Sequence, residues 1–249
     1  MWCDLPVIKK FILAAGTLTA LAMASLPANA ASACEHRAFE GQSFTVCAAD
    51  LANNDVRLFL KRTDGTNFGD PEALPHDRLL FATNAGMFGA THAPIGLYVE
   101  NGKQVHALNT KTGGGNFHLQ PNGVFWTKGG TAAITVTAEF AAAKPTADWA
   151  TQSGPMLVIN GTLNSNFDAN GPSRYVRNGV GVSDATHIYV AISDEPVSFG
   201  VFARLFRDEL KCLNALYLDG AVSRLYHPGL PEGYGGGELG PLLAVYARK

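Results

Sequence analysis

Asp219 ends an apolar, strand-like run in residues 214–228, NALYLDGAVSRLYHP, and Gly220, Ser223 and Arg224 follow within five positions. A carboxylate at a strand end can act as a nucleophile or as a base that activates water, provided other groups position it. It can equally serve as the polar end of a buried strand, accepting backbone hydrogen bonds in the turn. Three other corners combine polar side chains with glycine: Asn84 and Gly86 in ATNAGMF, Gln152, Ser153 and Gly154 in QSGPML, and Arg174, Arg177, Asn178 and Gly179 in SRYVRNGVGV. A fifth corner, AISDEP, ends in Asp194 and Glu195. Glycine at such places admits either a tight bend or a ligand lying against the backbone. Arg177 carries a guanidinium, which can form a structural ion pair with Asp184 or Asp194. Asp194-Glu195 before Pro196 also reads as a solvated turn.

The familiar hydrolase signatures are missing. The chain has no H-E-x-x-H, G-x-S-x-G, P-loop or G-x-G-x-x-G, and its seven histidines lack i,i+4 spacing. This excludes zinc proteases and α/β-hydrolases. A net charge of −2 with no basic run excludes a nucleic-acid polymer as partner. Lys9 and Lys10 precede FILAAGTLTALAMASLPANA, an apolar stretch ending in A-x-A spacing, which reads as a secretory signal over residues 1–33 cleaved after Ala30 or Ala33. The remaining 34–249 contains no stretch long and apolar enough to cross a bilayer, and the expected location is periplasmic or secreted.

Export permits disulfides. Cys34, Cys47 and Cys212 remain after cleavage. CEHRAFEGQSFTVC reads as a hairpin turning at Glu40-Gly41, which places Cys34 opposite Cys47 at a non-hydrogen-bonded position. A Cys34–Cys47 disulfide with Cys212 as a buried thiol is expected; Cys47–Cys212 is the rival pairing, and lipidation of Cys34 the rival fate, weakened by the poor lipobox Ala31-Ser32-Ala33. Short apolar runs separated by Gly, Asn and Pro predict a β-rich α+β domain of mostly short strands and hairpins, with turns at Asn101-Gly102, Gly129-Gly130, Asn160-Gly161 and residues 183–186. One clear helix is expected near 198–211, with Ser198 as N-cap, from the spacing of Val201, Phe202, Leu205, Phe206 and Leu210. A shorter helix is expected over PTADWATQ. HIYVAIS, the 198–211 helix and NALYLDG together suggest a βαβ crossover.

NAGMF…PIGLYVENG, GNFHLQPNGVF, ATQSGPMLVING, RNGVGV and CLNALYLDGAVSRLY, in that order, resemble the phosphodiester glycosidase family from about Cys34 to the C-terminus, most closely its exported bacterial branch. That family includes the catalytic domain of the lysosomal mannose-6-phosphate uncovering enzyme. The resemblance implies cleavage of a sugar C1–O bond to a phosphodiester, giving free sugar and a phosphomonoester. It also implies that Asn84 and Gly86 form the early Asn-Gly turn, that Ser153, Gly154 and Pro155 form a "GGP"-like turn, and that Arg177 and Gly181 form the Arg-x-x-x-Gly segment. Asp219 and Gly220 match the start of the family's Asp-Gly-Gly-Gly-Ser motif and Ser223 its end. Here that motif reads Asp219-Gly220-Ala221-Val222-Ser223, so two glycines are replaced, and a β-branched Val222 would resist positive φ.

The expected site therefore has Asp219 as catalytic carboxylate with a second acid among Asp194 and Glu195. Asn84, Gly86, Ser153, Gly154, Arg177, Gly220 and Ser223 bind substrate, a sugar-1-phosphodiester. No cofactor is assigned with certainty, and a divalent metal stays open. Two alternatives stand beside it: a non-catalytic envelope protein binding phosphorylated glycans, and a phosphodiesterase cutting P–O around a divalent metal held by Asp219, Asp194 and Asn84.

Overall fold

The first hairpin sets the register of the largest sheet. β1 (Cys34–Phe39) and β2 (Gln42–Asp50) turn at Glu40-Gly41, both at positive φ (49° and 72°), which is the turn chemistry a two-residue hairpin requires. Cys34 then faces Cys47, and the neighbouring Ala48 N–H donates to Ala33 at 2.9 Å, so the cysteines occupy a non-hydrogen-bonded pair. They form the disulfide, and Cys212 is left a free, buried thiol whose pKa burial pushes up to about 12. The rival Cys47–Cys212 pairing is thereby overturned. Closing a loop with a sequence separation of 13 should contribute about 3 kcal/mol. A Cys34→Ser/Cys47→Ser double variant is expected to lose that much in urea unfolding, with little change in slope.

The structure, a computed structural model, describes residues 1–2, 33–220, 222–229 and 237–249. The expected leader therefore lies almost wholly outside the described residues, as does Ala221. Ser32–Lys249 forms one unit. After β2, the strands β3 (Asn54–Phe59) and β4 (Leu79–Asn84) start a second sheet. β5 (Tyr98–Glu100), β6 (Lys103–His106), β7 (Gly123–Lys128), β8 (Thr131–Val136) and β9 (Trp149–Ser153) make a third, ordered β6-β5-β9-β7-β8. β10 (Met156–Ile159), β11 (Thr162–Leu163), β12 (Asn178–Val182), β13 (His187–Ser193) and β14 (Asn214–Asp219) return to the first, ordered β1-β2-β13-β12-β14-β10-β11. β15 (Leu225–Tyr226) and β16 (Leu242–Ala247) complete the second, ordered β15-β4-β16-β3. Each expected hairpin turn joins the strands it was assigned to.

β14 shows why the runs read as strands buried on both faces. Leu216 and Leu218 pack with Phe81, Tyr98, Phe125 and Leu243 on one face, while Ala215 and Tyr217 pack with Phe202 and Phe206 on the other. Those phenylalanines come from the expected helix. Ser198 caps it, accepting from Val201 N–H at 3.2 Å, and α-helical turns over Phe199–Arg204 widen into a π-turn over Leu205–Glu209. Gly181 on β12 is glycine because a Cβ there would lie 2.5 Å from Cys212 Sγ and 2.6 Å from the Phe206 ring. It serves helix packing.

Two expectations are corrected. The short helix falls at Thr137–Ala143, in Ala-rich sequence that favours helix, whereas Trp149–Ser153 is strand β9 between β5 and β7. The crossover between β13 and β14 is split: the two run parallel, but β12 lies between them, antiparallel to both. That insertion brings the start of β12 beside the end of β14. Among the described residues, no helix is long and apolar enough to cross a membrane.

Candidate active site

Three strand ends from two sheets meet at one corner. Asp219 ends β14, Asn178 begins β12 beside it, and Asn84 ends β4 of the second sheet. The pairing shifts between Asn178–Asp219 and Gly179–Tyr217, leaving Leu218 as an extra residue. A bulge of this kind re-aims the side chain that follows it. Ser153 holds it, its buried hydroxyl donating to the Leu218 carbonyl at 2.8 Å.

Asn178, fully buried, is the centre of the corner. Its Oδ1 accepts from Asp219 N–H at 3.0 Å, from the Ser223 hydroxyl at 3.3 Å and from Asn84 Nδ2 at 3.3 Å. Its Nδ2 donates to Thr83 Oγ1 at 2.8 Å and Asn84 Oδ1 at 3.0 Å. Ser223 also donates to the Asp219 carbonyl at 2.9 Å, and Arg224 N–H donates to Asn84 Oδ1 at 2.8 Å. Asp219 is thus clamped through its backbone on both sides, while its carboxylate, partly exposed, accepts from Gly220 N–H at 2.6 Å. Asn84 and Ser223, expected at the substrate, form this clamp, and their polar atoms are engaged within the protein. Asn178 was not among the expected site residues; the one signal for it is a polar side chain opening a run that is otherwise apolar and glycine.

Gly86 and Gly154 of the expected site are places where another chain segment packs against the backbone. Gly86 N–H donates to Thr151 Oγ1 at 3.0 Å, and a Cβ on it would lie 2.3 Å from the Gln152 carbonyl oxygen. Gly154 would place one 2.6 Å from Asn122 Cβ. Because backbone cannot step aside, Gly86→Ala is expected to destabilise the fold by about 1–3 kcal/mol in denaturant titration.

Arg177 lies behind Gly220 and is fully buried. Its Nε donates to the Val197 carbonyl at 2.9 Å and its Nη2 to the Ser173 carbonyl at 3.0 Å. The guanidinium stacks on Phe199, 3.6 Å from the ring centroid. Neither ion-pair partner weighed for it is in place: Asp184 binds His187, and Asp194 accepts from Ser43 and Thr45 hydroxyls. Among the described residues no carboxylate pairs with Arg177, its Nη1 makes no well-formed hydrogen bond although the Tyr217 hydroxyl adjoins it, and burial lowers its pKa. A buried cation without a counter-ion costs several kcal/mol, so the position favours an incoming anion.

The structure does not bring Asp194 or Glu195 to this corner. Asp194 faces β2 and lies 3.6 Å from His36 of β1, on the side of β13 away from β12, and Glu195 accepts weakly from Ser43 N–H at 3.4 Å. The set Asp219, Asp194 and Asn84 is therefore not assembled around a point, and no cluster of three His, Cys, Asp or Glu suited to a metal occurs among the described residues. Val222 avoids the strain anticipated for it. It is not at positive φ and packs against the cluster of Leu74, Leu239 and Leu242.

A cleft of about 280 Å³ opens next to Arg177, lined by Asn116, Asn166, Phe167, Asp168, Ser173 and Phe199 among others. It offers polar groups and an aromatic face to a ligand larger than phosphate alone. A family model described as phosphodiester glycosidase matches residues 77–232, a span that contains Asn84, Arg177, Asn178 and Asp219. The chain belongs to the phosphodiester glycosidase family. An uncharacterized protein of Escherichia coli K12, YigE, is 35% identical over 179 residues, covering 70% of each chain. The catalytic domain of zebrafish N-acetylglucosamine-1-phosphodiester alpha-N-acetylglucosaminidase, auto-inhibited by its pro-peptide, superposes with a TM-score of 0.59 at 14% identity, over 86% of this chain and 82% of that one. A hypothetical protein from Synechocystis gives 0.55 at 14% identity, over 86% and 61%. At such identities the phosphodiester glycosidase fold, and nothing finer, is what the two structures share with this chain.

Proposed function

We propose that this member of the family is an exported hydrolase that breaks the C1–O bond of a sugar-1-phosphodiester, releasing free sugar and a phosphomonoester. The observation that carries the reading is the buried guanidinium of Arg177, without a carboxylate partner among the described residues and sharing the neighbour Tyr217 with Asp219. A diester phosphate supplies the missing charge and acceptor, and places the anomeric carbon toward the carboxylate. Asp219 acts on that carbon as nucleophile or as base for water. Phosphate is a good leaving group, so one carboxylate suffices, which agrees with Asp194 and Glu195 facing elsewhere. The Cys34–Cys47 disulfide and the leader-like residues 1–33 support a periplasmic or secreted location.

Hydrolysis in ¹⁸O-water, with a panel of sugar-1-phosphodiesters including a nucleotide sugar, tests the bond that breaks. The reading expects label on the sugar hydroxyl and turnover unaffected by a chelator. Label on phosphate would mean P–O cleavage, and binding without turnover would mean a glycan-binding protein.

A further inference from the structure

Two buried polar groups, Nη1 of Arg177 and the hydroxyl of Tyr217, lie against each other and make no well-formed hydrogen bond among the described residues, although Asn116 adjoins the hydroxyl. Both residues are fully buried, where an unmet donor costs about 1–3 kcal/mol. Neither is loosely held. Phe199 stacks on the guanidinium and meets the Tyr217 ring edge-on at 4.8 Å, and the guanidinium centre lies 5.4 Å from the Tyr217 ring centroid. The Tyr217 hydroxyl also explains Gly220. A Cβ on residue 220 would lie 1.7 Å from that oxygen, so any side chain there would expel it. Burial raises the Tyr217 pKa, with Arg177 opposing only in part, so the phenol keeps its proton and remains a donor.

We infer that Arg177 Nη1 and the Tyr217 hydroxyl form a two-donor subsite for a phosphate oxygen beneath the floor of the adjoining cleft. Ser173 lines that cleft and holds Arg177 Nη2, and Asn116 lines it and neighbours the Tyr217 hydroxyl, so both donors lie one side-chain layer below its surface. The inference takes its substrate from the glycosidase reading, but the subsite itself accepts any phosphate. When the C1–O bond breaks, the electron pair stays on the phosphate oxygen and the group passes from one negative charge to two. Water supplies hydroxyl to C1 and a proton to Asp219 or solvent. Donors aimed at phosphate therefore bind the departing group more strongly than the diester, which speeds its departure.

The test compares full-length wild type with Tyr217→Phe in three measurements: calorimetric titration with inorganic phosphate, thermal unfolding without phosphate, and sugar release from a nucleotide sugar. The variant is expected to bind phosphate about tenfold or more weakly, as for a lost hydrogen bond to a charged group. It should unfold no earlier than wild type, because the hydroxyl removed makes no well-formed hydrogen bond among the described residues, and kcat should fall more than KM rises. Equal phosphate affinity in the two proteins, or no phosphate binding by wild type, would overturn the subsite. Earlier unfolding with unchanged phosphate affinity would overturn it too, marking the hydroxyl as structural. Phosphate binding that depends on Tyr217, with no sugar released by wild type from any diester in the panel, would leave the subsite standing and remove the glycosidase reading.

Discussion

Asp219→Asn is expected to fold normally and to release sugar about 10²- to 10⁴-fold more slowly, the range for loss of a positioned acid–base group. The fold should tolerate it because the clamp on residue 219 acts through backbone: its N–H reaches Asn178 Oδ1 and its carbonyl accepts from Ser223. The Gly220 N–H that now donates to Asp219 Oδ1 can donate to the amide oxygen instead. The loss should appear in kcat, because an amide can still sit beside the sugar but can neither attack C1 nor take a proton from water. A folded Asp219→Asn protein with the wild-type kcat would remove Asp219 from the mechanism and return it to the role of a turn residue.

Arg177→Lys should be nearly as severe although the charge is kept. An ammonium on a flexible stem cannot hold Val197 and Ser173 while presenting a third donor, and it loses the flat stacking on Phe199. Removing one partner of a buried, hydrogen-bonded charge pair costs about 2–5 kcal/mol, so kcat/KM should fall about 30- to 4,000-fold. Phosphate titration and steady-state kinetics on the same preparation measure it. Because the site is buried, added salt should change the ratio little. An exposed, screened Arg177 would show the opposite: a small loss, shrinking further as salt rises.

Local chemistry was legible in the sequence and long-range pairing was not. The turn at Glu40-Gly41 dictated the Cys34–Cys47 register, and Ser198 announced its helix, because each depends on a few adjacent residues. Asp219 and Arg177 stood out as polar residues bordering apolar runs. Asp194 and Asp219 both end strands, and only the sheet order reveals that β12 separates β13 from β14, with Asp194 facing β2. Asn178 was named only as a corner residue and Tyr217 not at all, for a related reason. Their importance lies in what faces them: Asn84 from another sheet, and Gly220 three positions along the same chain. The misassigned short helix reflects competition between local preference and pairing, since Trp149–Ser153 is held as a strand by neighbours on both sides.

The position of β16 has a consequence for when activity can arise. Although last in sequence, it lies inside its sheet, between β3 and β4, with Leu242 opposite Asn84. A chain emerging from a ribosome or a translocation channel N-terminus first has Asp219, Asn178 and Arg177 available long before it has β16. Until that strand inserts, β4 lacks the neighbour that fixes Asn84, and the clamp on Asp219 is incomplete. Strand pairings of such sequence separation form slowly. The site proposed here is therefore incomplete until the strand Leu242–Ala247 has docked, and any activity it has begins only then.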